Sequence, residues 1–397
     1  MARHPDRTTA APVVRLSSFY FTYYAALGAF TPYWALHLES RGMGITAISV
    51  MMSLWYATRV VAPSAWASLA AASPRPIRWL RIGCMLTLAS FACFLPAQPA
   101  WTLFAAMVAF CFFYNAVMPQ FEAITLGHLG ADAHRYGAIR VWGSIGFILV
   151  TTGFGWLIER RGAAILPWAM LPLFALMAVS AFANRDAGHV GPRGPAGAGF
   201  WRIVRRPEVA AFLVAAFLEQ LSFGPYYTFF SVYMDRLGYP TSTLGLMWTV
   251  GVVFEVAVFF AIARVFRRWD ASWLLLGSMA SAVLRWWATA LWPEQVAVML
   301  VAQATHALSF AAFFAAAMQL LARHFPGALN GHAQGLFYGF SSGLGGVLGA
   351  LVAGQLWPLG EGRVAFLAAG GFALAGCVIA WIWVVPRRRG PAAPAPG

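Results

Sequence analysis

The chain has 397 residues, of which 60% are apolar and only 10% charged, with a mean hydropathy of +0.68. A water-soluble domain carries about 25% charged residues, so this composition excludes a soluble enzyme or soluble binding module as the bulk of the molecule. The net charge is +14 and every one of the 27 basic residues is Arg; dispersed over short loops with no soluble domain to form a basic groove, they argue against nucleic acid as a partner and for contact with anionic lipid headgroups.

Residues 1–15 contain no apolar core and read as a cytoplasmic tail rather than a cleavable signal. Apolar blocks of roughly 18 to 26 residues then recur, each long enough to cross a hydrocarbon core of about 30 Å as a helix. Six predicted spans, 16–38, 46–71, 79–96, 101–125, 138–158 and 164–183, form a first half at 16–183. A stretch at 184–206 rich in Gly, Pro and Arg reads as a cytoplasmic linker. The second half, 207–385, holds predicted spans at 209–233, 242–265, 272–292, 295–321, 333–358 and 363–385, followed by a cytoplasmic tail at 386–397. Pro74 with Pro76, Gly238 with Pro240 and Gly360 with Gly362 punctuate the breaks. The expected fold class is an all-α integral membrane protein of twelve transmembrane helices in two six-helix, pseudo-symmetric halves.

If alternate loops are assigned to one side together with both termini, that side collects about 20 arginines, against about five opposite (Arg41, Arg160, Arg161, Arg236 and Arg363). The positive-inside rule then makes both termini cytoplasmic. Cys84, Cys93, Cys111 and Cys377 lie within apolar spans without metal-ligand spacing and read as small core residues. Trp34, Trp66, Trp79, Trp101, Trp292 and Trp357 fall near span ends, where an interfacial belt is expected.

An internal repeat runs at an offset of 196 residues. It sets Glu39-Ser40-Arg41-Gly42 against Asp235-Arg236-Leu237-Gly238, Gly28 on Gly224, Thr46 on Ser242 and Met51 on Met247, while at an offset of 200 Gly143 and Gly146 meet Gly343 and Gly346. A parallel repeat about an axis along the membrane normal places a substrate site near the bilayer midplane. The same offset aligns Arg59 with Glu255, which are expected either to share one charge network or to be satisfied separately.

Ionisable residues inside such spans carry the function. A charge at the centre of a membrane helix costs roughly 2.5 to 3.5 kcal/mol on insertion scales, so it usually lines a substrate or proton path. Glu122, Glu219 and Glu255 are the candidate proton-coupling groups, because low-dielectric surroundings favour a protonated carboxyl and a neighbouring Arg opposes that. Arg59 and Arg285 offer planar forks for a carboxylate substrate, and His306 can titrate or hydrogen-bond. Gln120, Asn115, Gln220, Gln303, Tyr226 and Tyr227 are either polar lining or interhelical glue. Trp286 and Trp287 follow Arg285 and offer stacking surfaces, with lipid packing expected for at least one. No nucleophile-base-orienter set or metal cluster stands out, which argues against a membrane-embedded enzyme.

Several stretches resemble the major facilitator superfamily, above all the proton-symporter branch of 3-phenylpropionic acid permeases. They are Phe21-Thr22-Tyr23-Tyr24 with Pro32-Tyr33-Trp34, Arg59, Tyr136-Gly137-Ala138-Ile139-Arg140-Val141-Trp142-Gly143-Ser144, Trp248 to Glu255, Phe266-Arg267-Arg268 and Leu284-Arg285-Trp286. A thinner similarity to lactose-type permeases implies substrate-binding roles for Glu122 and Arg140 and aligns Glu255, Arg285 and His306 with that family's acidic, basic and histidine positions. Phe147 stands where those permeases stack a Trp on the sugar, and Ser309 where they keep a proton-carrying Glu. The superfamily motif after the second span is degraded, with no Asp in 68–78 to make the usual gating salt bridge.

The resemblance implies a multi-pass protein of the bacterial inner membrane that moves a small, aromatic, 3-phenylpropionate-like monocarboxylate with a proton by alternating access. It would need no cofactor beyond the proton gradient and is compatible with a monomer. The alternatives are a sugar or nucleoside proton symporter of the same fold and a multidrug-type proton antiporter.

Overall fold

The computed structural model describes residues 12–95, 99–187, 198–327 and 329–386. Most of the two predicted tails and residues 188–197 of the predicted linker lie outside the described residues, together with Arg3, Arg7, Arg193 and Arg387 to Arg389. Among the described residues the regular structure is helical: α1 (Val13–Ser40), α2 (Ile45–Ala71), α3 (Ile77–Ala92), α4 (Ala100–Leu129), α5 (Tyr136–Arg161), α6 (Ala163–Ala183), the short α7 (Ala198–Val204), α8 (Pro207–Arg236), α9 (Thr241–Phe266), α10 (Ala271–Leu291), α11 (Val296–His324), α12 (Leu329–Leu359) and α13 (Glu361–Trp383). Apart from α7 these are the twelve rods expected.

Ten of the described helices are long and apolar enough to cross a membrane. The other two depart for different reasons. Helix α3 has 16 residues, a rise of about 24 Å, because it stops at Ala92 rather than continuing to Pro96. Helix α1 has 28 residues, but its apolar character is diluted by Ser17, Tyr20, Tyr23 and His37, which are buried inside the protein.

The chain divides into two compact units, one comprising Met1–Gly194 with Met234–Thr249 and the other Pro195–Tyr233 with Val250–Gly397. In the first unit α1 and α5 approach backbone to backbone. A Cβ on Gly28 would stand 2.6 Å from the Phe147 carbonyl oxygen, and Thr151 Oγ1 donates to the Gly28 carbonyl at 2.8 Å. Gly146 faces the Phe21 carbonyl in the same way. Amide side chains join the remaining helices: Asn115 Nδ2 donates to Trp55 O and to Thr58 Oγ1, both at 2.9 Å, and Gln120 Nε2 donates to Pro76 O at 2.7 Å. These two amides are therefore glue between helices.

Segment Met234–Thr249 is bonded into the same unit. Arg236 Nη2 donates to Glu39 Oε1 at 2.7 Å, so two residues from repeat-related segments form an ion pair. Thr241 Oγ1 donates to Gly155 O at 2.9 Å, and the Ser242 N–H donates to Glu159 Oε2 at 3.0 Å, near the start of α9.

Asp186, just beyond α6, accepts from the Ile77 N–H at 2.7 Å and caps α3. Arg81 Nη2 donates to Asn184 O at 2.9 Å, while Asn184 Nδ2 donates to Arg15 O at 3.0 Å and to Ser180 O at 2.8 Å.

The second unit repeats the α1–α5 contact with α8 and α12. Gly224 lies against the backbone of Gly349, and a Cβ on Gly349 would stand 2.5 Å from the Leu221 carbonyl oxygen. Two π-helical turns interrupt this unit's rods, Ala307–Ala312 in α11 and Tyr338–Leu344 in α12. The first begins immediately after His306. Such turns often mark functional positions in a helix.

Candidate functional site

The second unit concentrates its buried polar chemistry around Arg285 on α10. This side chain is 1% exposed, yet two of its guanidinium hydrogen bonds go to neutral groups: Nη1 donates to His306 Nδ1 at 2.9 Å, and Nη2 donates to Gln303 Oε1 at 3.2 Å. Tyr226 OH also donates to Gln303 Oε1, at 2.9 Å. The guanidinium carbon lies 4.2 Å from the Tyr226 ring centre and 4.4 Å from that of Trp286, close enough for cation–π attraction. Trp286 is itself held by a hydrogen bond from Nε1 to Ser222 Oγ at 3.0 Å. Arg285 Nε has no hydrogen-bond partner among the described residues.

Arginine can only donate. Its bond to His306 Nδ1 therefore requires that nitrogen to be an acceptor, which assigns the imidazole proton of a neutral ring to Nε2. That nitrogen lies 3.8 Å from Glu255 Oε2, while the His306 ring stacks on Phe310 with centres 5.0 Å apart. A second proton on Nδ1 is incompatible with the Arg285 bond. The charge state of His306 and the freedom of Arg285 are thus linked through one atom.

Glu219 on α8 is fully buried, and neither carboxyl oxygen has a hydrogen-bond partner among the described residues. Arg285 is the positive charge that acts on it. Gln220 Nε2, next in the chain, is likewise buried without a partner. Of the residues singled out from sequence, this unit brings together Arg285, His306, Glu255 and Glu219, and promotes Gln303 and Tyr226 from secondary candidates to direct partners of Arg285.

The first unit builds a different cluster. Arg140 on α5 stacks over Tyr24 at 3.8 Å and stands 5.7 Å from the Tyr20 ring centre. Glu122 on α4 accepts from Tyr136 OH at 3.3 Å and lies within electrostatic range of Arg140. Gly143 makes room for the stack, since a Cβ there would stand 2.7 Å from both Arg140 Nη1 and Tyr24 Cδ2. Arg59 is exposed on α2, near enough to Tyr23 and Tyr56 to act on them electrostatically. Sequence reasoning passed over Tyr20 and named Tyr24 and Tyr136 only within the motifs of the family resemblance, not as site residues. Their spacing held the signal, because Tyr20 and Tyr24, and Tyr136 and Arg140, are pairs four apart on one helix face.

Other expectations are corrected. Trp34, Trp66 and Trp357 are buried in the protein rather than placed in an interfacial belt, whereas Trp101 and Trp292 are exposed. No disulfide joins the four cysteines, three of them buried or partly buried and Cys93 exposed. Among the described residues no group of three or more His, Cys, Asp or Glu is placed to hold a metal ion.

Twelve helices, ten of them long and apolar enough to cross a membrane, with Arg, His and carboxyl groups buried among them, define a polytopic membrane protein. The MFS_1 like family model matches residues 13–368, and the chain belongs to this branch of the major facilitator superfamily. It is 28% identical over 313 residues to the probable 3-phenylpropionic acid transporter of Escherichia coli (strain K12), covering 76% of this chain and 80% of the relative. It is 27% identical over 355 residues to the maltose permease of Geobacillus stearothermophilus, covering 86% and 88%. The nucleoside transporter NupG has the same fold, with a TM-score of 0.78 at 14% identity over 94% of this chain and 98% of that one.

Proposed function

We propose that the protein is a proton-coupled symporter that brings a small aromatic monocarboxylate of the 3-phenylpropionate type across the bacterial inner membrane by alternating access, with both termini cytoplasmic. The observation that carries this reading is Arg285. A buried guanidinium whose hydrogen bonds go to a neutral imidazole and an amide retains a charge that a carboxylate can neutralise with two parallel hydrogen bonds. Tyr226, Trp286 and Phe223 around it suit an aromatic ring next to that carboxylate.

The proton follows from the same group. An ionised carboxylate buried without a hydrogen bond is costly, so Glu219 is assigned the protonated state when Arg285 is engaged by substrate and the ionised state when Arg285 is free to compensate it. Glu255 serves His306 in the same exchange, with Glu122 as a further proton site. Arg59, Arg140 and Glu122 line the substrate path through the first half, 16–183, and Arg285 and His306 bind in the second, 207–385, with 184–206 as linker.

A sugar or nucleoside symporter is the second reading, favoured by the similarity to the maltose permease. Uptake of labelled 3-phenylpropionate into proteoliposomes, with and without an inward proton gradient and with maltose and uridine as competitors, separates the two. Saturable, gradient-stimulated uptake insensitive to both competitors is expected. Saturable transport of maltose or uridine with no carboxylate uptake would replace the proposal with its rival.

A further inference from the structure

A second site lies in the other unit-two feature rich in arginine, the junction between α9, α10 and the end of α11. A cavity of about 220 Å³ there is lined by Arg267, Arg268, Trp269, Asp270, Gln319 and Arg323, among others. The lone carboxylate in this lining is fully occupied: Asp270 Oδ2 accepts from Arg323 Nη2 at 2.7 Å, and Oδ1 accepts from the Ser272 N–H at 2.8 Å, capping α10. Arg323 is thereby committed as well. Among the described residues no hydrogen bond or ion pair engages the guanidinium of Arg267 or Arg268, and both side chains are exposed. Two uncompensated guanidinium groups thus border a polar hollow.

The surroundings say what kind of anion fits. Trp269 is 60% exposed and Trp273, one turn into α10, is 47% exposed. Exposed indoles at the end of a membrane helix lie at headgroup depth. Helix α7 sits beside this junction, with Phe200 packed on Phe325 at 5.3 Å between ring centres, and it brings exposed Trp201 and Arg202. Guanidinium forks match phosphate oxygens in pairs, and basic pockets between membrane helices take phospholipid headgroups.

We propose that this cavity is a binding site for the phosphate of an anionic phosphoglycerolipid, held by Arg267 and Arg268, with Gln319 as a hydrogen-bond donor and the Trp269 and Trp273 rings beside the glycerol and upper acyl chains. The shared chemistry is a phosphate oxyanion, and the indole rim favours a lipid over free phosphate. The site is separate from the Arg285 cluster and does not depend on what is transported.

The test uses the full-length protein purified in a nonionic detergent and titrated with acyl-labelled phosphatidylglycerol, followed by fluorescence anisotropy. Arg267→Gln/Arg268→Gln is expected to weaken one saturable site about 30-fold, from the attraction each basic side chain contributes near a lipid surface. The Lys pair is expected to fall between, because it keeps charge without forks. Both substituted residues are exposed, so the thermal midpoint serves as the folding control, and Arg160→Gln in the first unit should leave the site intact. Phosphatidylcholine and millimolar inorganic phosphate should fail to displace the probe. Displacement by inorganic phosphate at the same concentration as lipid would overturn the lipid assignment in favour of a free anion. Unchanged phosphatidylglycerol affinity in the folded double variant would overturn the site altogether.

Discussion

Substituting Arg285 with Gln removes the charge from the centre of the proposed site and nothing else of comparable chemistry replaces it. In the structure the guanidinium donates to His306 Nδ1 at 2.9 Å and to Gln303 Oε1 at 3.2 Å. Gln303 keeps its bond from Tyr226, whereas His306 Nδ1 loses the Arg285 donor, a cost of about 1 kcal/mol in stability. The loss in substrate binding is larger. A carboxylate bound by two charge-assisted hydrogen bonds at about 1.5 kcal/mol or more each forfeits about 3 kcal/mol, which is roughly 100-fold in affinity at 1.4 kcal/mol per tenfold. Lysine retains charge but cannot reach both acceptors with one planar fork, so Arg285→Lys should lie between.

The assay is binding of 3-phenylpropionate and its uncharged amide to purified protein. Wild type should prefer the acid by about 100-fold, and Arg285→Gln should bind the two within about threefold because the selective contact is gone. Comparing acid with amide in the same variant removes any general loss of folded protein. A folded Arg285→Gln protein that still prefers the acid as wild type does would refute the assignment.

Glu219→Gln preserves shape at a fully buried position and should leave substrate counterflow intact while abolishing accumulation driven by a proton gradient; retained gradient-driven accumulation would remove Glu219 from the coupling. Gly143→Ala pushes a methyl to within 2.7 Å of Arg140 Nη1 and Tyr24 Cδ2, and overpacking of this kind costs about 1 to 3 kcal/mol, read as a lower thermal midpoint that a Tyr24→Leu background should partly relieve. Asp186→Ala frees the Ile77 N–H and should cost about 1 kcal/mol in thermal stability, with Asp186→Asn nearer wild type. The hydrogen bond from Arg323 holds the Asp270 carboxyl below its usual range. Its stabilising contribution is therefore complete above the ordinary carboxylate value and is lost as pH falls through the depressed one. Thermal melts from pH 6 down to pH 3 should show Asp270→Asn losing less stability over that acid range than wild type.

How much of this was legible in the sequence divides along physical lines. Span number and order follow from hydropathy alone, since hydrocarbon forces a helix wherever an apolar block is long enough. Charged residues inside those blocks were equally visible, and Arg285, His306 and Glu255 do meet. The glycine repeat was readable as well, although the close contacts in α12 fall at Gly345 and Gly349. What could not be read was rotation about each helix axis. It decides that Gln303 bonds to Arg285 while Gln120 and Asn115 tie helices together, and that Trp34 and Trp66 turn inward while Trp101 turns out. Long-range capping was hidden too: Asp186 caps α3 from 109 positions away along the chain, a relation that no local motif expresses. The π-helical turn after His306 leaves no hydropathy signature.

The central proposal is that proton entry accompanies carboxylate entry, and the movement of that proton is the most direct thing to measure. Adding 3-phenylpropionate to lightly buffered proteoliposomes, with empty liposomes to subtract passage of the neutral acid through lipid, should give a protein-dependent alkalinisation of the medium that saturates with substrate and disappears in Glu219→Gln. Saturable carboxylate uptake with no protein-dependent alkalinisation would contradict the account.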